Sequence, residues 1–254
     1  ASIADVSLPY FNKRSCKDFM WCIYVEETDD VVATGIINWI SHNGTFNYGY
    51  CQYSGGHQIN KKLYNQIPET DVRKGWWSGE DGKNTHLDDK YNAYLAKYSF
   101  PAYTSCKFNT YDGTLGCSTN ANDIPLMRVE EMYLIKAEAM AKAGQDGKSF
   151  LESFVKTYRD PSYTCNGDVQ EAVYFQKRIE LWGEGLIWYD VMRLNKGIDR
   201  RGGGFDATVV FDIKPGDPIL LWRLPQTEIN ANVAISDADN NETTPAPKPV
   251  KDEE

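Results

Sequence analysis

The chain has no C-x-x-C pair, only three histidines, and no run of eighteen apolar residues anywhere along its 254 positions. Without a long apolar run, no segment reads as a membrane-spanning helix. His42, His57 and His86 stand far from any paired cysteines, so neither zinc nor another metal is expected. The opening Ala1-Ser-Ile-Ala-Asp5 lacks both the basic start and the apolar stretch of a signal peptide. The chain therefore reads as starting after processing or inside a longer product. An excess of positive charge is missing too: 27 Lys and Arg face 36 Asp and Glu, a formal charge of −9. A nucleic-acid partner needs a basic stripe to neutralise phosphates, and Lys61-Lys62 and Arg200-Arg201 are too short to make one. Catalytic signatures are also lacking. Gly202-Gly-Gly204 has no Lys-Ser/Thr after it, as a phosphate loop would, and no G-x-S-x-G elbow occurs. No cofactor is expected.

Aromatic rings, by contrast, are abundant: 7 Trp, 16 Tyr and 10 Phe make 13% of the chain. Flat rings suit the apolar faces of sugars, and they equally suit ordinary core packing. Six cysteines allow 15 disulfide connectivities. Cys106 and Cys117 flank a loop containing Tyr and Gly, which makes them the expected bridge. Buried free thiols are the alternative for the other four. Glu80, Asp81, Asp88 and Asp89 would permit calcium, but they form no EF-hand pattern and read as an acidic surface loop.

The first 124 residues read as loop-rich, with short strands. Aromatic and β-branched residues crowd Ser15 to Ile40, and Trp21-Cys-Ile-Tyr-Val25 reads as a short strand or buried run. Asn43 to Gly56 has loop composition carrying large rings. A short helix is expected over His57–Ile67, and loops with short strands over Asp71–Thr119. Residues 125–200 read as helical. One helix runs from Met127 to Ala143, stopped by Gly144, with alanines that admit a close neighbour. A second covers Ser149–Tyr158. A third starts at an Asp168 N-cap, with Glu171 three residues on, and runs through Gly183 and Gly185 to about Asn195. Pro215–Arg223 reads as a strand. From Asp237 to Glu254 the Pro- and acid-rich composition predicts a disordered tail.

Five motifs then fall in one order: Arg128-Val-Glu-Glu-Met-Tyr-Leu-Ile-Lys-Ala-Glu-Ala139, Phe154-Val-Lys-Thr-Tyr-Arg159, Gln176-Lys-Arg-Ile-Glu-Leu-Trp-Gly-Glu-Gly185, Tyr189-Asp-Val-Met-Arg-Leu194 and Leu224-Pro-Gln-Thr-Glu-Ile-Asn230. With Phe19-Met-Trp21, Leu63-Tyr64, Ile67-Pro-Glu-Thr-Asp-Val-Arg-Lys74 and Lys107-Phe108, they closely resemble the C-terminal half of the SusD/RagB family from about Lys17 to Asn232. The resemblance implies a mainly α, SusD-like domain over residues 1–236, related to a tetratricopeptide-like scaffold. It also implies a lipoprotein on the outer face of the outer membrane that binds oligosaccharides, less often peptides, for a SusC-like TonB-dependent transporter. The family's N-terminal scaffold and lipid-bearing Cys are not in this sequence, so the chain reads as a fragment or truncated member. The lipid anchor would then belong to the missing N-terminal part. The stretch after Ala234 departs from the family's usual Asn-Pro ending.

Glu180 and Glu184, four apart on the expected third helix, could be mistaken for the carboxylate pair of a polysaccharide hydrolase. Glycosidases place two carboxylates about 5–9.5 Å apart across the scissile bond, usually from separate elements. An ion-pair network beside Arg178 is the expected role, and the protein reads as a non-enzyme. Arg128 with Glu131 and Asp190 with Arg193 are expected helix-supporting pairs. The ligand-binding candidates are Trp39, Tyr48, Tyr50, Tyr53, Trp76 and Trp77, with Asn38, Asn43, Asn47 and Gln52 as amides for sugar hydroxyls. Each ring has core packing as its plain alternative. Trp182, Trp188, Tyr133 and Tyr189 lie at helical spacing and read as core.

Overall fold

Gly, Asn and Pro interrupt the first half of the chain so often that its elements are short. The computed structural model describes residues 1–33 and 38–252. Residues 34–37 of the expected Ser15–Ile40 run thus lie outside the described residues. A Ser2–Asp5 capping box opens α1 (Ile3–Val6). Strand β1 (Phe19–Ile23) is followed by single turns: α2 (Asp30–Ala33), α3 (Trp39–Asn43), α4 (Tyr50–Ser54) and α5 (Lys61–Asn65). α5 is shorter than the expected helix because the Asn60 side chain caps it at Leu63. A 3-10 turn covers Val72–Trp76, capped by Asp71. α6 (Asp89–Lys97) stands where loops are expected; its buried Tyr91, Tyr94 and Leu95 form an i, i+3, i+4 stripe.

Strand β2 (Ile124–Arg128) pairs antiparallel with β1, setting Phe19 opposite Arg128 and Ile23 opposite Ile124. It leads straight into α7 (Val129–Lys142), two residues later than the expected start. α8 (Gly147–Tyr158) is capped by Asp146, and α9 (Val169–Glu180) by Asp168. These three helices pack on one another around Leu134, Ala137, Leu151, Phe154, Val155 and Val173. The close approach rests on Gly147, where a Cβ would stand 2.3 Å from the Ala137 carbonyl oxygen. A second cluster gathers Phe11, Ile40, Ile67, Trp76, Trp77, Phe108 and Ile179. A third gathers Phe46, Leu87, Tyr91, Tyr94, Leu95 and Phe100.

The third helix does not continue to Asn195. It stops at Glu180, and Gly183 takes φ +78°, a left-handed backbone that no α-helix passes through. A Cβ on Gly183 would lie 3.1 Å from the Phe108 ring, so the glycine also admits that ring. The chain divides here into two compact units, Ala1–Gly185 and Leu186–Glu254, where one domain over 1–236 is expected. The second unit holds α10 (Ile187–Arg193), the two-residue ladder of β3 (Ile198–Asp199) with β4 (Asp212–Ile213), and α11 (Gln226–Ala231). Pro215–Arg223 is not a strand; Asp217 caps a 3-10 turn over Pro218–Leu220 instead. The expected Asp190–Arg193 pair forms, at 2.7 Å. Beyond Asp237 the chain makes one 3-10 turn and runs on with Val250 N–H donating to the Val210 carbonyl. The architecture is helix-dominated with few short strands, as the sequence predicts.

Candidate functional site

The six ring candidates divide into three groups. Trp76 and Trp77 are 2% and 1% exposed and lie in the core. Trp76 meets Phe11 edge-on at 5.5 Å, and Trp77 meets Trp182 edge-on at 5.7 Å. Neither can stack on a ligand, and both are withdrawn as binding residues. Trp39 is half-buried, with its ring edge-on to Phe108 at 4.8 Å. Tyr48, Tyr50 and Tyr53 are 51%, 49% and 70% exposed.

Those three tyrosines are brought together by local chemistry. Asn38 caps α3 by accepting the Ser41 N–H. The Ser41 hydroxyl in turn accepts the Tyr50 N–H at 2.9 Å, which ties the start of α4 to α3. The Tyr48 N–H donates to the Cys117 carbonyl, and Asn120 Nδ2 donates to the Tyr48 carbonyl. Gln52 is anchored from beneath by donating to the Tyr94 hydroxyl at 2.7 Å. Three residues apart on α4, Tyr50 and Tyr53 share a helix face. Tyr48 and Tyr53 meet at 5.8 Å with planes at 86°, forming a right-angled corner. A hydroxyl contact with Tyr48 raises the Tyr53 phenol above its usual range. His42 lies against Tyr50 at 4.7 Å with planes tilted by 34°. His42 has no place among the sequence candidates, and its i, i+8 distance from Tyr50, across the loop that joins α3 to α4, leaves little signal to find it.

The expected amide partners serve the scaffold. Asn38, Asn47 and Gln52 are buried; Asn38 Nδ2 donates to the Asn120 carbonyl, and Asn47 Nδ2 to the Asn120 side chain. Asn43 Nδ2 donates to the Trp39 carbonyl one turn back. Their side chains hold the tyrosine ledge and do not line it.

Glu180 and Glu184 are the centre of a buried ion network in the first unit. The Glu180 carboxylate accepts from Arg73 at 3.2 Å, Arg128 at 3.0 Å and Arg159 at 2.8 and 3.0 Å. Burial pushes its pKa up, but Arg159, Arg128 and Arg73 outweigh burial and hold it well below the carboxylate range. Glu184 lies beyond the end of α9 and is gripped by Arg128 and Lys107. Burial lowers the Lys107 ammonium to about 8, against the pull of Glu184. The network reading holds, with Arg73, Arg128, Arg159 and Lys107 as partners in place of Arg178. Arg128 reaches Glu130, Asp18, Glu180 and Glu184, where an Arg128–Glu131 pair is expected. Two carboxylates that are fully buried and ionised by arginines offer neither a proton nor a nucleophile to a substrate.

All six cysteines are free, so the expected Cys106–Cys117 bridge is absent. The Cys106 and Cys117 thiols are instead buried against nearby carbonyls, Cys106 on Thr104 and Cys117 on Thr119, both at 3.7 Å. Among the described residues no group of three or more His, Cys, Asp or Glu is placed to hold a metal, and no helix is long and apolar enough to cross a membrane.

Comparison with known proteins gives consistent matches. The family model described as the SusD family matches residues 38–242. A SusD-like protein of Formosa agariphila is 28% identical over 98 residues, which is 34% of this chain and 20% of that protein. A SusD superfamily protein of Bacteroides thetaiotaomicron superposes with TM-score 0.66 at 20% identity, covering 96% of this chain and 52% of the other. A SusD-like carbohydrate binding protein of Bacteroides vulgatus gives TM-score 0.61 at 18% identity, covering 96% and 53%. Surface glycan-binding protein A of Bacteroides thetaiotaomicron, in complex with laminarihexaose, gives 0.52 at 16% identity, covering 86% and 52%. At these identities the likeness is one of fold. The chain spans about half the length of these solved structures.

Proposed function

Because the chain belongs to the SusD family, we propose that it captures oligosaccharides at the cell surface, without catalysis, for a SusC-like TonB-dependent outer-membrane transporter. The observation that carries this reading is the ledge of Tyr48, Tyr50 and Tyr53, three exposed rings within six residues of chain. Rings fixed in place stack on the C–H faces of pyranoses with little ordering cost, because the entropy of positioning them is already spent in folding. A structure of the same fold holds laminarihexaose, which supports a glycan as the ligand. The burial of the Glu180 and Glu184 side chains supports binding over hydrolysis. Attachment to the outer face of the outer membrane, through a lipid anchor on a segment outside this chain, belongs to the same proposal.

Titration calorimetry with a panel of hexasaccharides, laminarihexaose included, tests the ledge. Tyr50→Ala and Tyr53→Ala should each weaken the best ligand by about tenfold or more, roughly 1.4 kcal/mol. If the chain binds no glycan, the ledge reading fails. A scaffold that only contacts the transporter would then replace it, a reading supported by the close packing of α7, α8 and α9 on one another.

A further inference from the structure

A quarter of the chain is Asp, Glu, Lys or Arg, yet residues 31–60 contain none of the four. That stretch includes α3, α4 and the whole tyrosine ledge. The bonds that hold the ledge are neutral as well. Tyr48 is fixed by the Cys117 carbonyl and the Asn120 amide, Tyr50 by the Ser41 hydroxyl, and Gln52 by the Tyr94 phenol. The ionisable groups acting on Tyr53 are Tyr48 and Tyr98, and Cys51 beneath meets the Thr45 hydroxyl and the His57 backbone, both uncharged. Histidine is the only residue type in the stretch able to take a positive charge below phenol titration: His42 beside Tyr50, and His57, whose pKa burial lowers.

Fixed charge appears only in the neighbouring elements, and most of it is negative. Asp88 and Asp89 open α6, and Asp112 sits in a turn beside Cys117 with its pKa lowered by the Thr114 N–H. The cations of α6 are Lys90, over Tyr91, and Lys97, over Tyr98, each 5.0 Å from its ring. An anionic sugar lying on Tyr50 and Tyr53 would lose water from its carboxylate or sulfate and find no lysine or arginine on α3 or α4, with His42 as the one side chain beside Tyr50 that can take a positive charge. It would also approach a chain of net charge −9. A neutral sugar meets none of these penalties. Its hydroxyls pair with the exposed phenol groups, and its C–H face covers the rings.

We infer that the ledge selects uncharged oligosaccharides and rejects uronate and sulfated chains of the same length. This rests on the glycan-capture reading and names the ligand class of that same site. The test compares a neutral hexasaccharide panel with hexagalacturonate and its carboxyl-reduced counterpart, using this chain and its Tyr50→Ala and Lys97→Ala variants. Neutral hexasaccharides and the reduced hexamer should bind, and the uronate should bind at least about tenfold more weakly, or not at all. Affinity for the neutral ligand should stay within about twofold as salt rises from about 0.1 to 1 M, which shortens the screening length from about 10 to about 3 Å. Lys97→Ala should leave that affinity unchanged. Uronate binding as tight as neutral binding, and lost in Tyr50→Ala, overturns this inference and leaves glycan capture standing. No binding by any member of either panel overturns both.

Discussion

Glu180 is the residue on which most of the first unit's buried charge converges. One carboxylate shared by three guanidinium groups would be poor surface chemistry, because exposed pairs contribute about 0–1 kcal/mol each. Buried, the same group is costly to disturb: removing it takes a carboxylate partner from each of Arg73, Arg128 and Arg159 in the core. Asp18 stands at the edge of this network under less favourable terms. Its Oδ2 accepts from Arg128 at 3.1 Å, while its buried Oδ1 has no partner. Burial, with Glu130 adding to it, pushes the Asp18 carboxyl up from 3.8 to about 6 against the pull of Arg128. A raised carboxylate pKa means that the folded state holds the proton longer than the unfolded state. The Asp18 contribution to stability is therefore complete below about pH 3.8 and is lost as pH rises through about 6. Asp18→Asn removes that dependence. Urea unfolding at pH 4 and pH 7 should show the variant gaining on the wild type between them, on the order of 2 kcal/mol. A pH-independent difference between the two proteins would contradict the assignment.

At the scale of elements, α7 and α8 form a pair whose approach depends on a missing side chain. Gly147→Ala places a methyl 2.3 Å from the Ala137 carbonyl and 2.7 Å from the Ala141 nitrogen, both backbone atoms that cannot rotate away. Thermal unfolding should show the variant destabilised by about 2 kcal/mol or more, although alanine favours helix. A stabilised variant would mean that α8 shifts freely on α7. These helices are also where sequence and structure agree most closely. Asp168 and the alanines of α7 are local signals, and local signals survive folding. The break after Glu180 was not legible, because a glycine within a helical pattern can either be tolerated, at about 1 kcal/mol relative to alanine, or end the helix. What decides the matter is the Phe108 ring, which arrives from more than seventy residues away. The ledge was half legible for the same reason. Tyr48, Tyr50 and Tyr53 sit in loop-like sequence and are exposed, whereas Trp76 and Trp77 sit in similar sequence and are buried by Phe11 and Trp182. Composition cannot distinguish a ring with distant partners from one without them.

At the scale of the whole molecule, all three apolar clusters and the Glu180 network fall within Ala1–Gly185. A chain ending at Gly185 should therefore keep a single cooperative thermal transition, measured by far-ultraviolet circular dichroism and calorimetry together. Non-cooperative melting would show that the first unit does not stand on its own. The Glu180 network also bears on how the protein is made. Arg73, Arg128 and Arg159 precede their shared carboxylate by 107, 52 and 21 residues. On a ribosome, all three emerge before this shared carboxylate, with Asp71 available to Arg73 and Glu130 to Arg128 and Arg159 ahead of it. The pocket around Trp76, where Arg159 lies against the ring, therefore gains its shared carboxylate only after residue 180 has left the exit tunnel. Completion of this core is tied to the progress of synthesis, with Glu180 and then Glu184 as the last carboxylates to arrive.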